Sequence, residues 1–398
     1  MTERRRSRLP YDFDRRIDRR HTRSYKWDQR EKLFGNPDVL PLWVADMDFL
    51  SPPAVKAVLE KRAALGVYGY AIRTDSYVAS IVNWFERRHG WKIDPKWITD
   101  SPSVVTSLSL AVELLSEPGS QVVLQPPVYY PFYDVIRGNG RIVARNPLIL
   151  RNGRYEMDYE HLESLFRGGA KLMLLCSPHN PGGRVWEKAE LLKLGELCLR
   201  YGVTVLADEI HCDLTMPGHK HTPFASLSPE LADITLTCLA ATKTFNLPGL
   251  QTSFVVISNP SVKKKFDARI RTLSLHMANH FAQDAVEAAY TEGEQWLDEG
   301  RAYIAGNLSY ALDVLAERLP EVKPMRPEGT YLLWVDCRGL GLDVKGLKQL
   351  MFEKAKVAFS EGSVFGAEGE GWLRINLACP RSILEEALDR FCRAAKSG

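Results

Sequence analysis

Short apolar runs alternate with longer amphipathic stretches along most of the chain. The short runs are rich in branched residues, which favours strands, and the longer stretches have helical spacing. The predicted strands are residues 121–125, 170–176, 203–207, 234–239 and 254–258. The predicted helices include residues 52–65, 76–89, 104–115 and 188–201. This alternation predicts βα units around a mostly parallel sheet flanked by helices.

The pattern changes after about residue 286. A long helical pattern continues through Leu319. It is followed by a predicted strand at 331–336, a helix near 344–355 and a strand at 372–377, which together indicate a smaller α+β unit.

The predicted fold class is therefore α/β with two domains. Residues 52–286 are expected to form the large domain. Residues 1–51 and 287–398 are expected to form a discontinuous small domain. No flexible linker separates them, so we expect the two domains to pack tightly.

Composition and charge narrow the classes of function. The chain has 45% hydrophobic and 25% charged residues, which excludes a disordered chain, a collagen and a coiled coil. Its 52 Lys and Arg against 49 Asp and Glu give no reason to expect nucleic acid or a membrane surface as partner. No apolar run is long enough for a transmembrane helix. Residues 1–10 carry four arginines with no apolar stretch behind them, so we expect a solvated arm and no secretory signal.

The seven cysteines predict a reducing compartment. None forms a CxxC pair, so neither a disulfide framework nor a zinc ribbon is indicated. We therefore expect a cytoplasmic protein. His219 and His221 are spaced like a metal pair, but no third ligand stands at a supporting distance. We expect a surface turn there, and no metal site.

Three predicted strands are followed by chemically useful side chains. Asn180 follows the strand at 170–176, Asp208 follows the strand at 203–207, and Lys243 follows the strand at 234–239. Ligands of parallel sheets bind beyond these carboxyl ends. A desolvated lysine can form a Schiff base, a carboxylate can keep a pyridinium nitrogen protonated, and an amide can donate to a phenolate. The trio suits pyridoxal 5′-phosphate (PLP), although each residue alone also fits a surface, cap or turn position.

Two further segments suit the same cofactor. Ser103, Val104 and Val105 open a helix, where free N–H groups and the helix dipole favour a phosphate. Tyr129 follows the strand at 121–125 and offers a stacking face for the ring.

With these motifs the sequence resembles the fold-type I PLP-dependent enzymes, and among them the cystathionine β-lyase branch of bacterial C–S lyases, the MalY/PatB group. The resemblance covers almost the whole chain, and its combination of motifs is specific. The matching segments are Lys26-Trp27-Asp28, Trp43 to Phe49, Tyr68-Gly69-Tyr70, Gln125 to Tyr129, His179-Asn180-Pro181, Asp208 to His211, Lys243 to Asn246 and Arg374-Ile375-Asn376.

The resemblance implies how the cofactor is held. Lys243 is expected to be catalytic and to carry PLP as a Schiff base. Asp208 is expected to pair with the pyridinium nitrogen, Asn180 with the phenolate oxygen, and Tyr129 to stack on the ring. The remaining expected cofactor-binding residues are His211, Thr242 and the backbone of Val104 and Val105.

The resemblance also implies a homodimer with shared active sites. Tyr70 is expected to reach the phosphate held by the neighbouring subunit. Arg374 is expected to clamp the α-carboxylate of the amino-acid substrate, because a guanidinium fork matches a carboxylate. The loop at Ala45 and Asp46 is expected to close over that substrate.

Several positions depart from common family patterns. Gln251 stands where many aminotransferases have a phosphate-binding arginine, and His211 where many have a tyrosine; both are typical of the lyase branch. Ala240 replaces a frequent phosphate-binding serine. The stretches 275–280 and 71–73 also depart, and they either reshape the substrate pocket or are neutral loop variation.

These features predict a C–S β-lyase that cleaves L-cystathionine or L-cysteine S-conjugates to thiol, pyruvate and ammonia. An aminotransferase on the same scaffold is the alternative, because the cofactor residues are shared. A third interpretation is a regulatory protein that binds a partner through an exposed patch. The sequence assigns no role to His276, Asn279 or His280.

Overall fold

The computed structural model describes residues 11–397. The basic segment at residues 1–10 lies outside them, and so does its predicted role as an arm. The strands are β1 (Leu40–Pro41), β2 (Ile98–Ser101), β3 (Gln121–Leu124), β4 (Ile142–Arg145), β5 (Ile149–Arg151), β6 (Arg154–Glu156), β7 (Leu172–Cys176), β8 (Thr204–Asp208), β9 (Thr235–Leu239), β10 (Ser253–Ile257), β11 (Lys323–Met325), β12 (Leu332–Asp336), β13 (Val357–Ala358), β14 (Ser360–Glu361) and β15 (Trp372–Asn376).

Helices account for most of the remaining regular structure. The α-helices are α1 (Tyr25–Asp28), α2 (Arg30–Phe34), α3 (Pro53–Ala64), α4 (Asp75–His89), α5 (Val104–Leu115), α6 (Pro131–Gly138), α7 (Tyr159–Arg167), α8 (Lys188–Tyr201), α9 (Pro229–Asp233), α10 (Ala241–Thr244), α11 (Pro260–Thr272), α12 (Ala282–Glu292), α13 (Glu294–Arg318), α14 (Val344–Gln349) and α15 (Arg381–Lys396).

The central sheet has seven strands in the order β2-β10-β9-β8-β7-β3-β4. Strands β4, β3, β7, β8 and β9 run parallel to one another, and β10 pairs antiparallel with both of its neighbours. Every residue of β7 and β9 is buried, as expected for strands covered by helices on both faces. The predicted mostly parallel α/β sheet is confirmed, and it brings the carboxyl ends of β7, β8 and β9 side by side.

A second, antiparallel sheet in the order β11-β12-β15-β14 lies in the C-terminal part of the chain. The N-terminal segment joins that part through the parallel pairing of β1 with β13. The predicted domain boundaries at residues 52 and 286 stay a prediction. Within residues 11–397, no helix is long and apolar enough to cross a membrane.

The predicted single helix from about residue 286 to Leu319 is wrong. The chain forms two helices, α12 and α13, separated at Gly293. A Cβ atom at Gly293 would lie 2.4 Å from the carbonyl oxygen of Ala289 and 2.6 Å from the ring of Phe245. The glycine therefore allows the helix junction to pack closely against the segment that follows Lys243. The predicted helix near 344–355 is confirmed: α14 (Val344–Gln349) continues without a gap as a π-helical turn at Leu350–Lys354.

Candidate active site

A cavity of about 570 Å³ lies at the carboxyl ends of β7, β8 and β9. It gathers residues from both sheets and from the N-terminal segment. Ten of the twelve predicted site residues line it, namely Ala45, Val104, Val105, Tyr129, Asn180, Asp208, His211, Thr242, Lys243 and Arg374.

Lys243 stands on the short helix α10, which begins directly after β9. Its Nζ donates a hydrogen bond to the carbonyl oxygen of Ala45. Burial lowers the pKa of Lys243 to about 8; Arg374 acts in the same direction, whereas Asp46 and Asp208 oppose it. A substantial fraction of the amine is therefore neutral near physiological pH, which is the form that acts as a nucleophile or base.

Asp208 is the last residue of β8 and is buried. Burial raises the pKa of its carboxyl group to about 7, although the Ile210 N–H donates to its Oδ1 at 3.2 Å and Lys243 also favours the charged form. No cation forms an ion pair with Asp208 in the described part of the chain. A protonated ring nitrogen placed against this carboxylate would restore its ionised form.

Arg374 is a buried cation on β15. Its Nη1 donates to Asn180 Oδ1 at 2.9 Å, and its Nη2 donates to the Trp43 carbonyl at 2.8 Å. Its guanidinium carbon lies 4.7 Å from the centroid of the Phe365 ring. Burial lowers the pKa of Arg374 to about 10, and its Nε has no partner among residues 11–397. No carboxylate of residues 11–397 forms an ion pair with this cation, so the cavity favours an anionic ligand.

Asn180 links this arginine to the end of β7. Its oxygen is engaged by Arg374, so its amide nitrogen is left to donate to another acceptor. The backbone N–H of Asn180 donates to Cys176 Sγ at 3.3 Å, which fixes the turn. Asn180 is thus positioned as a donor at the cavity wall.

The first turn of α5 also lines the cavity. The side chain of Ser103 caps the helix by accepting from the Thr106 N–H at 3.1 Å. The preceding N–H groups of Val104 and Val105 have no partner within the helix and lie at the lining. Thr242 and Gln251 line the same cavity. Such a helix terminus favours a phosphate.

Tyr129 and His211 complete the lining near these groups. Tyr129 is partly buried, and burial raises the pKa of its phenol. His211 is buried, and burial, with Lys243 and Arg374 nearby, lowers its pKa to about 3. The imidazole of His211 is therefore neutral, and its Nδ1 has no partner in the described structure.

Two predicted site residues lie outside the lining. The carboxylate of Asp46 instead pairs with Arg19 Nη2 at 2.8 Å and with Lys26 Nζ at 3.2 Å. Tyr70 is 89% exposed. A single chain therefore does not bring Tyr70 to its own cavity, and its predicted role requires a second subunit.

The two departing stretches also lie outside the lining. They belong to a surface beside Tyr70, where His280 Nδ1 lies 2.9 Å from the Gly69 carbonyl oxygen. The ring centroids of Tyr68 and His280 are 6.2 Å apart. Within one chain, the stretches at 71–73 and 275–280 therefore do not shape the pocket.

An aromatic group at the cavity was missed by sequence reasoning. Its members come from three separate parts of the chain, so no single local pattern joins all of them. They are Tyr25, Phe34, Trp43, Tyr130, Phe352 and Phe359. Two matching segments could have pointed to this group. Trp43 begins one of them, and Tyr25 directly precedes the other, Lys26-Trp27-Asp28.

The expected surface turn at His219 to His221 is only partly correct. His219 and Lys220 are exposed, but His221 is buried and lies 3.0 Å from Glu209 Oε2 through its Nε2. The second histidine is therefore a buried residue paired with Glu209 and not part of an exposed turn.

Comparisons with known proteins agree with this geometry. Residues 37–391 match the aminotransferase class I and II family, and the chain belongs to that family. It is 47% identical to cystathionine beta-lyase PatB of Bacillus subtilis, over 96% of this chain and 98% of that protein. It is 35% identical to protein MalY of Escherichia coli, over 97% and 99% of the two chains. The predicted resemblance to the MalY/PatB group is confirmed.

A solved structure gives the same result for the fold. Cystalysin from Treponema denticola, whose structure contains pyridoxal 5′-phosphate, superposes with a TM-score of 0.94 at 38% identity. The match covers 98% of this chain and 100% of the cystalysin chain. The predicted fold-type I PLP-transferase fold is confirmed.

Proposed function

We propose that the protein is a PLP-dependent C–S β-lyase. Its substrates are L-cystathionine or L-cysteine S-conjugates, and its products are a thiol, pyruvate and ammonia. The observation that carries the proposal is the convergence of Lys243, Asp208 and Arg374 on one cavity. The strong similarity to a protein named cystathionine beta-lyase supports the lyase reaction over the aminotransferase alternative.

The cavity fits PLP. Its unpaired buried groups match the parts of the cofactor: Asp208 suits the ring nitrogen, the Asn180 amide the phenolate, and the first turn of α5 the phosphate. The amine of Lys243 suits the aldehyde. When bound, PLP supplies an electron sink for negative charge at the substrate Cα.

The chain's own residues bind the substrate and move its proton. Arg374 is the group for the α-carboxylate, because its buried charge has no anionic partner in the part of the chain that the structure describes. The neutral Nζ of Lys243 removes the proton from Cα, and the Ala45 carbonyl orients that Nζ. The bond between Cβ and sulfur then breaks, and the electron pair leaves with the sulfur, which takes up a proton to become the thiol. Water hydrolyses the remaining unsaturated amine to pyruvate and ammonia.

The reaction is tested by measuring thiol release from L-cystathionine with no keto acid present. A β-lyase releases thiol over many turnovers. An aminotransferase releases none, because it only exchanges the amino group with a keto acid. Thiol release limited to less than one equivalent per site would overturn the proposal.

We expect the buried carboxyl group of Asp208 to destabilise the folded protein when the cofactor is absent. In the cofactor-free protein its folded-state pKa, about 7, lies above the ordinary carboxyl value of 3.8. Between these values the unfolded chain ionises while the folded chain does not, so this residue makes folding less favourable as pH rises. Cofactor-free Asp208→Asn should therefore melt about 2–5 °C above wild type at pH 8, with the gain shrinking toward pH 5.

Calorimetry of the cofactor-free proteins at several pH values checks this expectation. With PLP added, the order should reverse, because asparagine cannot neutralise a pyridinium. An equal melting temperature at pH 8 for both cofactor-free proteins would contradict the claim that the buried Asp208 carboxylate destabilises the folded protein.

The proposal includes a homodimer. An exposed apolar stretch surrounds Tyr70, and water-exposed apolar side chains this close together favour an interface. They are Leu65, Val67, Tyr68, Tyr70 and Ile72, each more than 60% exposed. In this dimer, Tyr70 donates to the phosphate held by the other subunit.

Mixing two defective variants tests the shared site. Tyr70→Ala and Lys243→Ala should each have low activity at limiting PLP. A hybrid dimer has one site with both side chains intact, so equal mixing should restore about a quarter of wild-type activity. Unmixed variants incubated identically are the control, and no recovery despite subunit exchange would contradict the shared site.

We also place the protein in the cytoplasm. All seven cysteines are buried free thiols, which supports a reducing compartment.

A further inference from the structure

The segment from Trp43 to Met47 is held by side chains along its whole length. It has neither helical nor strand structure, yet each of its five consecutive carbonyl oxygens accepts a hydrogen bond from a side chain. The donors are Arg374 and Ser360 to Trp43, Asn376 to Val44, Lys243 and Tyr331 to Ala45, Asn376 and Lys26 to Asp46, and Arg19 and Asn246 to Met47.

This segment, the carbonyl row 43–47, contacts both chemically important cations of the cavity. The Trp43 carbonyl lies 2.8 Å from Nη2 of Arg374, and the Ala45 carbonyl accepts from Nζ of Lys243. The row thus lies between the proposed carboxylate site and the proposed proton-transferring amine. A shift of the row would displace both groups together.

A buried charge cluster whose residues do not line the cavity anchors the row. Its centre is Lys26, whose side chain is 0% exposed and whose Nζ lies 2.6 Å from Asp48 Oδ2 and 3.2 Å from Asp46 Oδ1. Arg19 lies 2.7 Å from Asp48 and 2.8 Å from Asp46. Two cations and two carboxylates balance, so the cluster is stable only as a set.

The cluster is connected to the row at several points. Lys26 Nζ also donates to the Asp46 carbonyl at 3.3 Å, and the Lys26 carbonyl accepts from the Trp43 indole at 3.3 Å. The Trp27 indole donates to Asp48 Oδ1 at 3.0 Å. The electrostatics agree: burial disfavours a charged Lys26, but Asp48 and Asp46 outweigh it and raise its pKa above the usual value.

We infer that Lys26 is a positioning residue for the reaction, because its ammonium fixes the carbonyl row 43–47 that holds Lys243 and Arg374. The inference rests on the proposed roles of Lys243 and Arg374. Lys26 itself is outside the cavity lining and acts only through the row.

The test compares Lys26→Met with Lys32→Met in the cofactor-loaded enzyme. Lys32 is an exposed lysine of α2 with no ion pair in the described structure, so its replacement is the matched control. Per cofactor-containing site, Lys26→Met should lower kcat and raise KM for L-cystathionine, with kcat/KM reduced about 10- to 100-fold. A purely structural role would lower the melting temperature and leave both constants unchanged.

A second readout does not depend on activity. Amide hydrogen exchange at residues 43–48 should become at least about tenfold faster in Lys26→Met, while exchange in β7, β8 and β9 stays unchanged. Trp27→Phe removes only one hydrogen bond of the cluster, so it should change kcat, KM and hydrogen exchange in the same directions but by smaller factors. It serves as the test variant if Lys26→Met does not fold.

The outcomes separate the inference from the proposed function. If wild type releases no thiol, the proposed function fails, and hydrogen exchange still decides whether Lys26 orders the row. If wild type is active and Lys26→Met matches Lys32→Met in kcat, KM and exchange, the inference is overturned.

Discussion

Replacing Lys243 with alanine should lower kcat for thiol release by at least about 10³-fold. The reason is that burial lowers the pKa of Lys243 in the cavity, so that its Nζ is partly neutral, and this Nζ is the proposed base at Cα. The variant should also lose the visible absorption of the lysine-bound cofactor. Both quantities are measured on protein reconstituted with PLP.

Lys220→Ala is the matched control, since Lys220 is an exposed lysine that does not line the cavity. It should retain wild-type kcat and spectrum. Retention of wild-type turnover by Lys243→Ala would exclude this lysine as the base, and retention of the absorption band would exclude it as the cofactor ligand.

Arg374→Ala should raise KM for L-cystathionine about 10- to 100-fold, because charge-assisted hydrogen bonds to a carboxylate contribute roughly 1.5–3 kcal/mol. The guanidinium is buried, and the partners of its donors are an amide, a hydroxyl and a main-chain carbonyl. Substrate binding would give it its missing anionic partner. Steady-state kinetics measures the effect.

A substrate analogue without the α-carboxylate isolates that contact. Wild type should bind the decarboxylated analogue weakly, and Arg374→Ala should bind it no more weakly than wild type does. Arg338→Ala is the control, since Arg338 pairs with Asp336 at the surface, at the end of β12. Equal losses for both substrates on replacing Arg374 would show that this arginine does not act through the carboxylate.

The sequence predicts where the candidate site residues lie when their placement depends on parallel strands. Asn180, Asp208 and Lys243 each follow a buried strand, and the adjacency of β7, β8 and β9 brings these ends together. The helices at Val104–Leu115 and Lys188–Tyr201 have the predicted bounds. Local periodicity is enough for these features because each is set by one continuous segment.

The remaining features depend on contacts between distant segments. The helices α12 and α13 are separated at Gly293, which packs closely against Phe245, and helical periodicity contains no signal for this contact. The aromatic lining combines residues that only the β1–β13 pairing and its surroundings bring together. Likewise, Asp46 was expected at the substrate, whereas its carboxylate pairs with Arg19 and Lys26, which precede it by 27 and 20 residues.

The most direct measurement of the central claim is the count of pyruvate formed per active site from L-cystathionine without added keto acid. The cofactor spectrum is followed in the same cuvette. We predict that pyruvate and thiol accumulate together for many turnovers and that the initial cofactor band returns when substrate is consumed. Conversion of the cofactor to its pyridoxamine form after one equivalent, reversed by a keto acid, would contradict the lyase and establish an aminotransferase.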